Sequence, residues 1–229
     1  MTTTRSLLQS ALGISLSLAA GASSVAAQVR IIDEGTFLIS RRGGPSETES
    51  FRIRVDNGLV LATGQLTSGN RRVSSALTTD SLGVPVDYKL DVRENGASTM
   101  SIAAVGRSGR LTARAQLPRG EESTREYPVS VGSVILEDDD LVHQTYFLLL
   151  PKKTTMQAIN PRTSRGGAAT LRAVGAESVT IGGKPVAGTH YSVTVGGRAR
   201  EFWVDASGRV LQVEIPSIGL KAVRDEPPR

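Results

Sequence analysis

Phe51-Arg-Ile-Arg-Val-Asp-Asn-Gly58 decides the fold class. Phe51, Ile53 and Val55 alternate with Arg52, Arg54 and Asp56, and Asp56-Asn57-Gly58 ends the run. Successive side chains of a strand point to opposite faces, so this segment has one apolar face and one wet face. Asn-Gly accepts the positive φ of a tight hairpin turn. The same period recurs in Tyr88, Leu90 and Val92, in Leu111, Ala113 and Ala115, in Tyr191, Val193 and Val195, and in Leu211, Val213 and Ile215. One-sided strands of this kind belong to antiparallel sheets with a solvated face.

Further turn signals stand at Glu94-Asn95-Gly96, Ser108-Gly109, Gly182-Gly183, Gly196-Gly197 and Ser207-Gly208. Strands are expected near 29–41, 48–56, 58–68, 71–79, 84–94, 97–105, 109–117 and 121–130. More are expected near 153–160, 168–175, 177–182, 189–196, 199–206, 209–215 and 219–224. Strands of roughly 8–10 residues suit a curved sheet or barrel better than a small sandwich. Residues 28–224 read as one mainly β domain, a strongly curved antiparallel sheet or half-open β-barrel, with 225–229 as a frayed tail.

One segment breaks the alternation. Leu136-Glu-Asp-Asp-Asp140 precedes Leu141-Val-His-Gln-Thr-Tyr-Phe-Leu-Leu-Leu150 and Pro151. Asp138 or Asp139 can cap a helix that Pro151 ends. The element is apolar almost all round, which requires burial on two sides. It is expected as one helix in the concave side of the sheet; a fully buried strand is the second reading.

The first 27 residues have the three-part layout of a secretory signal. Arg5 is their only charge, an apolar run covers Leu7 to Ala20, and Val25 and Ala27 supply small residues before a cut. A transit peptide is the rival, but such peptides carry several arginines. The apolar run is shorter than the about 20 residues of a membrane span. The expected product starts at Gln28 and is periplasmic or secreted. It has no transmembrane segment.

The chain has no cysteine, so neither disulfides nor a cysteine-borne lipid anchor hold the exported product. Formal net charge is +5 over 229 residues, and arginine dominates the 27 basic residues. The arginines are scattered, which fits a solvated surface; a patch for anionic lipid headgroups or an anionic envelope polymer is the functional alternative. Export sets nucleic acid aside.

No Gly-x-Ser-x-Gly, Ser-x-x-Lys or His-Glu-x-x-His pattern occurs, and no cofactor is implied. Asp205-Ala-Ser-Gly208 is best read as a hairpin turn. His143 lies one helical turn from Asp139 and Asp140, a spacing that more often serves local electrostatics than a metal. His190 opens a strand. Tyr146, Phe147, Tyr191, Phe202 and Trp203 could line an apolar pocket, although cores use the same residue types.

His190-Tyr-Ser-Val-Thr-Val-Gly-Gly-Arg-Ala-Arg-Glu-Phe-Trp-Val-Asp205, continuing through Gly208-Arg-Val-Leu211 to Pro216, resembles the C-terminal signature of an uncharacterised group of exported bacterial proteins. Gly35-Thr-Phe-Leu-Ile-Ser40 and the central Leu-Leu-Leu before proline are similar too. The group resembles in layout the lipoprotein carriers LolA and LolB, which implies a half-open barrel whose hollow holds lipid. No site residue of the carriers matches here. The leading expectation is therefore a non-enzymatic periplasmic protein that binds an apolar or amphipathic ligand or serves the cell envelope. A glycan hydrolase using carboxylates such as Asp139 or Asp205, and a structural or interaction module, are the alternatives.

Overall fold

A computed structural model describes residues 29–117, 120–137 and 141–229. The alternating segments form one sheet of 15 strands. The first wing runs β1 (Arg30–Ser40), β2 (Glu47–Asp56), β3 (Leu59–Ser68), β4 (Arg71–Thr79), β5 (Pro85–Glu94), β6 (Ala97–Arg107), β7 (Arg110–Gln116) and β8 (Glu122–Pro128). The second runs β9 (Ser133–Ile135), β10 (Thr155–Asn160), β11 (Arg165–Ile181), β12 (Lys184–Val195), β13 (Arg198–Val204), β14 (Val210–Ile215) and β15 (Leu220–Arg224). Each strand pairs with its sequence neighbours within its wing, and β1 pairs with β15 to join the two wings. All ladders are antiparallel except β9–β10.

The sheet does not close. Its two edges are β8 and β9. β8 is largely exposed, whereas all three residues of β9 are buried. β9 packs against β5 and the mid-chain helix, so the second wing curls inside the first. This is the curved, unclosed sheet that the alternation predicts. The tight turns behave as expected: Asn57-Gly58 and Asn95-Gly96 have φ of 50° and 77°, and 52° and 83°.

Two strands differ from the sequence reading. β9 is too short to show a period, and residues buried on both faces have none to show. β11 is one strand of 17 residues where two were expected, because a bulge between Ala173 and Gly175 shifts the alternation without ending the ladder. Beyond that bulge the β11–β12 hairpin leaves the main core. Val179 and Ile181 instead form a second cluster with Trp203 and Leu211.

The mid-chain element is a helix, as expected, but a 3-10 helix spanning Val142–Leu148, with every residue buried. The residue at its N-cap is Leu141, which has no side-chain oxygen to offer. The expected caps Asp138 and Asp139 lie outside the described residues. The cap comes instead from Glu49 of β2, whose carboxylate accepts the backbone N–H of Val142 at 2.7 Å and that of His143 at 3.3 Å. The His143 ring Nδ1 lies on the same carboxylate.

A second set of polar contacts ties down the rest of the helix. Gln144 Oε1 accepts the Glu137 N–H at 2.8 Å, and the Tyr88 hydroxyl donates to the Glu137 carboxylate at 3.1 Å. Arg200 donates to Thr145 Oγ1 at 3.0 Å and to the Glu137 carbonyl at 2.9 Å. Burial, with the Glu137 carboxylate beside it, pushes the Tyr88 hydroxyl well above its ordinary pKa, so it stays a donor.

Gly64 of β3 makes this packing possible. A Cβ there would collide with the His143 ring and come within 3.2 Å of Glu49 Oε1. Gly64→Ala is expected to destabilise the fold by about 1–3 kcal/mol through overpacking. Gly167→Ala, where a Cβ meets nothing within 4 Å, is the control. Urea denaturation midpoints of the two variants check this.

Candidate functional site

A cavity with a volume of about 970 Å³ crosses β1 to β4. It follows directly from the ladder register. Gly35, Phe51, Gly64 and Ser75 face one another across the four strands. Phe51 and Ser75 turn into the core, so the floor here is backbone. On one side of this floor runs the outward row Thr36, Ser50, Gln65 and Ser74. On the other side Glu34, Arg52 and Thr63 lie opposite one another. The C-terminal residues Asp225 to Arg229 add a wall. Asp225 N–H donates to the Thr36 carbonyl at 3.0 Å, and Arg209 donates to the carbonyl of Arg229.

At one end of this trough lies a buried ion pair. Asp33 and Arg224 are 5% and 3% exposed and paired side chain to side chain. Arg224 also donates to the Val210 carbonyl at 2.6 Å and to the Glu34 carbonyl at 3.3 Å. Its guanidinium lies 5.6 Å from the Phe37 ring centre and 5.0 Å from that of Phe51, rings that stack at 5.1 Å. Gly35 leaves the space, since a Cβ there would stand 3.0 Å from Arg224 Nη1. Burial raises the Asp33 pKa; the Arg224 guanidinium and, more weakly, Arg209 pull it down.

The five aromatic candidates do not converge on one pocket. Phe147 and Phe202 are fully buried in the main core, Tyr146 lies at its 9%-exposed margin, and Tyr191 packs against it. Tyr146 meets Phe147 edge-on, and Tyr191 stacks on Phe202 at 5.5 Å. Trp203 points to the opposite face of the sheet. There it stacks on His190 at 4.3 Å and donates to Glu177 at 2.9 Å. His190 Nδ1 lies 3.2 Å from Glu177, and its Nε2 lies 2.9 Å from Glu201. None of the five lines the trough.

Asp205 serves its turn. It accepts the N–H groups of Ser207 and Arg209 at 2.8 and 2.9 Å and pairs with the Arg209 guanidinium at 2.8 Å. Asp139 lies outside the described residues. His143 pairs with Glu49, and Asp140, like Asp139, lies outside the described residues. Among the described residues no three His, Asp or Glu side chains converge as metal ligands, and no helix is long and apolar enough to cross a membrane.

Sequence reasoning missed Glu49, Asp33 and Arg224. Their signal was present: each sits in phase with an apolar face, Glu49 with Phe51 and Ile53, and Arg224 with Leu220 and Ala222. An ionisable group at such a position must find a partner inside.

No family profile and no curated protein sequence matches the chain. Its fold is similar to a solved β-barrel-like protein of the domain of unknown function DUF1849 from Brucella abortus. The TM-score is 0.51 at 8% identity, covering 87% of this chain and 98% of that one. The shared feature is the β-barrel-like fold.

The Asp33–Arg224 pair has a distinct pH signature. The Asp33 pKa stands above its ordinary 3.8, so the stability linked to it is fully present below that value and is lost as pH rises through the folded-state pKa. Arg224→Met removes the compensating cation and is expected to cost about 3–5 kcal/mol at pH 7. The orphaned carboxyl then takes up a proton more readily, so the loss should shrink at pH 4.5. Denaturation curves of both proteins at the two pH values measure this.

Proposed function

We propose that this chain is an exported, non-enzymatic protein of the cell envelope that acts as a scaffold through its outer surface. The single observation that carries the reading is the filled concave side. The space where a carrier of the LolA and LolB type would hold lipid is taken by the buried helix, the Glu49 cap and the Glu137–Gln144–Arg200 contacts. The gap beside Glu137, Leu141 and Arg200 is too small to admit a water molecule, far below the range of ligand pockets. The signal-like residues 1–27 and the absence of cysteine support export as a free domain. The resemblance to exported bacterial proteins points the same way.

A hydrolase is the less favoured reading. Asp205 is occupied by its turn, and Asp33 by Arg224, so neither is poised as an acid or a base.

Expression of the full chain in a Gram-negative host is expected to release a product beginning at Gln28 into the osmotic-shock fraction. An unprocessed chain confined to the cytosol would overturn export. The purified product is expected to show no saturable uptake of a fluorescent acyl probe; stoichiometric uptake would restore the carrier reading.

A further inference from the structure

We infer that the trough across β1 to β4 is a binding site for an uncharged, polyhydroxylated ligand, a segment of a neutral glycan chain. The inference rests on the envelope reading above and names the class of molecule that its outer surface holds.

Every cation around the trough already faces a carboxylate. Arg52 lies 2.8 Å from Glu34, Arg209 lies 2.8 Å from Asp205, and Arg229 lies 3.5 Å from Glu226. Arg224 is paired with Asp33. A site built for phosphate or an acidic polymer leaves guanidinium groups turned toward the ligand. Here they are neutralised in pairs, so the scattered arginines of the sequence do not make this surface an anion site.

Apart from the tail carboxylate of Asp225, which itself repels an anionic ligand, the side chains left open are neutral. Thr36, Ser50, Gln65 and Ser74 form one continuous row over four strands, and Thr63 stands across the floor. Hydroxyls donate and accept, and the Gln65 amide adds two donors and an acceptor. Adjacent strands are about 4.8 Å apart, so the row repeats a hydrogen-bonding group on the scale of one sugar ring. Such a row matches a linear ligand that repeats its own hydroxyls and amides, with the chain crossing the strands. Pro227 and Pro228 supply an apolar surface for the C–H face of a sugar ring. The volume of about 970 Å³ accommodates a short oligosaccharide.

The test uses the signal-free chain, residues 28–229, and the β-1,4-linked tetramer of N-acetylglucosamine as the probe. Titration followed by backbone amide spectra is expected to give saturable shifts at Thr36, Ser50, Gln65 and Ser74. Gln65→Ala and Ser74→Ala are each expected to weaken binding about fivefold or more while leaving the denaturation midpoint unchanged. Thr112→Ala on β7 should bind as the wild type does. Absence of saturable shifts at millimolar probe overturns the inference, as does tighter binding of a tetragalacturonate of equal length, because that would show an anion site. Neither result bears on export, which the cleavage and fractionation experiment decides separately.

Discussion

Glu49 carries a carboxylate with no exposed surface, and in a protein interior such a group is tolerated only when its charge is met by donors. Three converge on it: two backbone N–H groups at the start of the 3-10 helix and the ring of His143. A seven-residue 3-10 helix has little stability of its own, because few of its amides are satisfied internally and its hydrogen bonds are poorly aligned. The carboxylate from β2 therefore fixes where the helix starts and which way it points. Gly64 on the neighbouring strand gives the imidazole its seat. With the helix fixed, the concave side of the sheet is full, and the second wing has a surface on which to curl. The open spiral follows: β9 finds its place against β5 and the helix rather than beside β8.

The interior polar groups share one logic. Asp33 with Arg224, Glu49 with His143, and Glu137 with Tyr88, Gln144 and Arg200 all stand on the apolar face of a strand or beside the helix, and each has a partner from a distant part of the chain. Such groups add little net stability over apolar packing, but the loss of one partner strands a buried charge. Each ties a strand of the sheet to a distant segment of the chain. Asp33 and Arg224 mark the join between β1 and β15, where the first and last strands meet.

The outer surface has a different character. In the trough the arginines are paired, and the open groups on the strands are hydroxyls and an amide. On the other wing, the tip of the β11–β12 hairpin folds over the outer face, held by Leu211 and by Trp203, which donates to Glu177. Both surfaces are built on strand ladders rather than on long loops, so their side chains hold a fixed spacing.

Much of the fold was legible in the sequence because a half-exposed strand writes its two faces into alternate residues, and Asn-Gly or Gly-Gly marks where the chain reverses. The curved antiparallel sheet of one-sided strands follows from that pattern, and the buried mid-chain helix from the segment that breaks it. The short strand β9 was not legible, since burial on both faces erases the period. The continuity of β11 was not legible either, since a bulge shifts the phase without a break. The trough depended on ladder register and on the path of the tail, which no local pattern encodes. The sequence by itself determined the one-sided strands, their turns and the lack of any disulfide. Only the tertiary structure decided which carboxylate caps the helix, that the aromatic residues divide between two cores, and that the arginines around the trough are already paired. The physical reason is range: period and turn chemistry act over a few residues, whereas Glu49 and His143 are 94 residues apart and meet only once the sheet has curled.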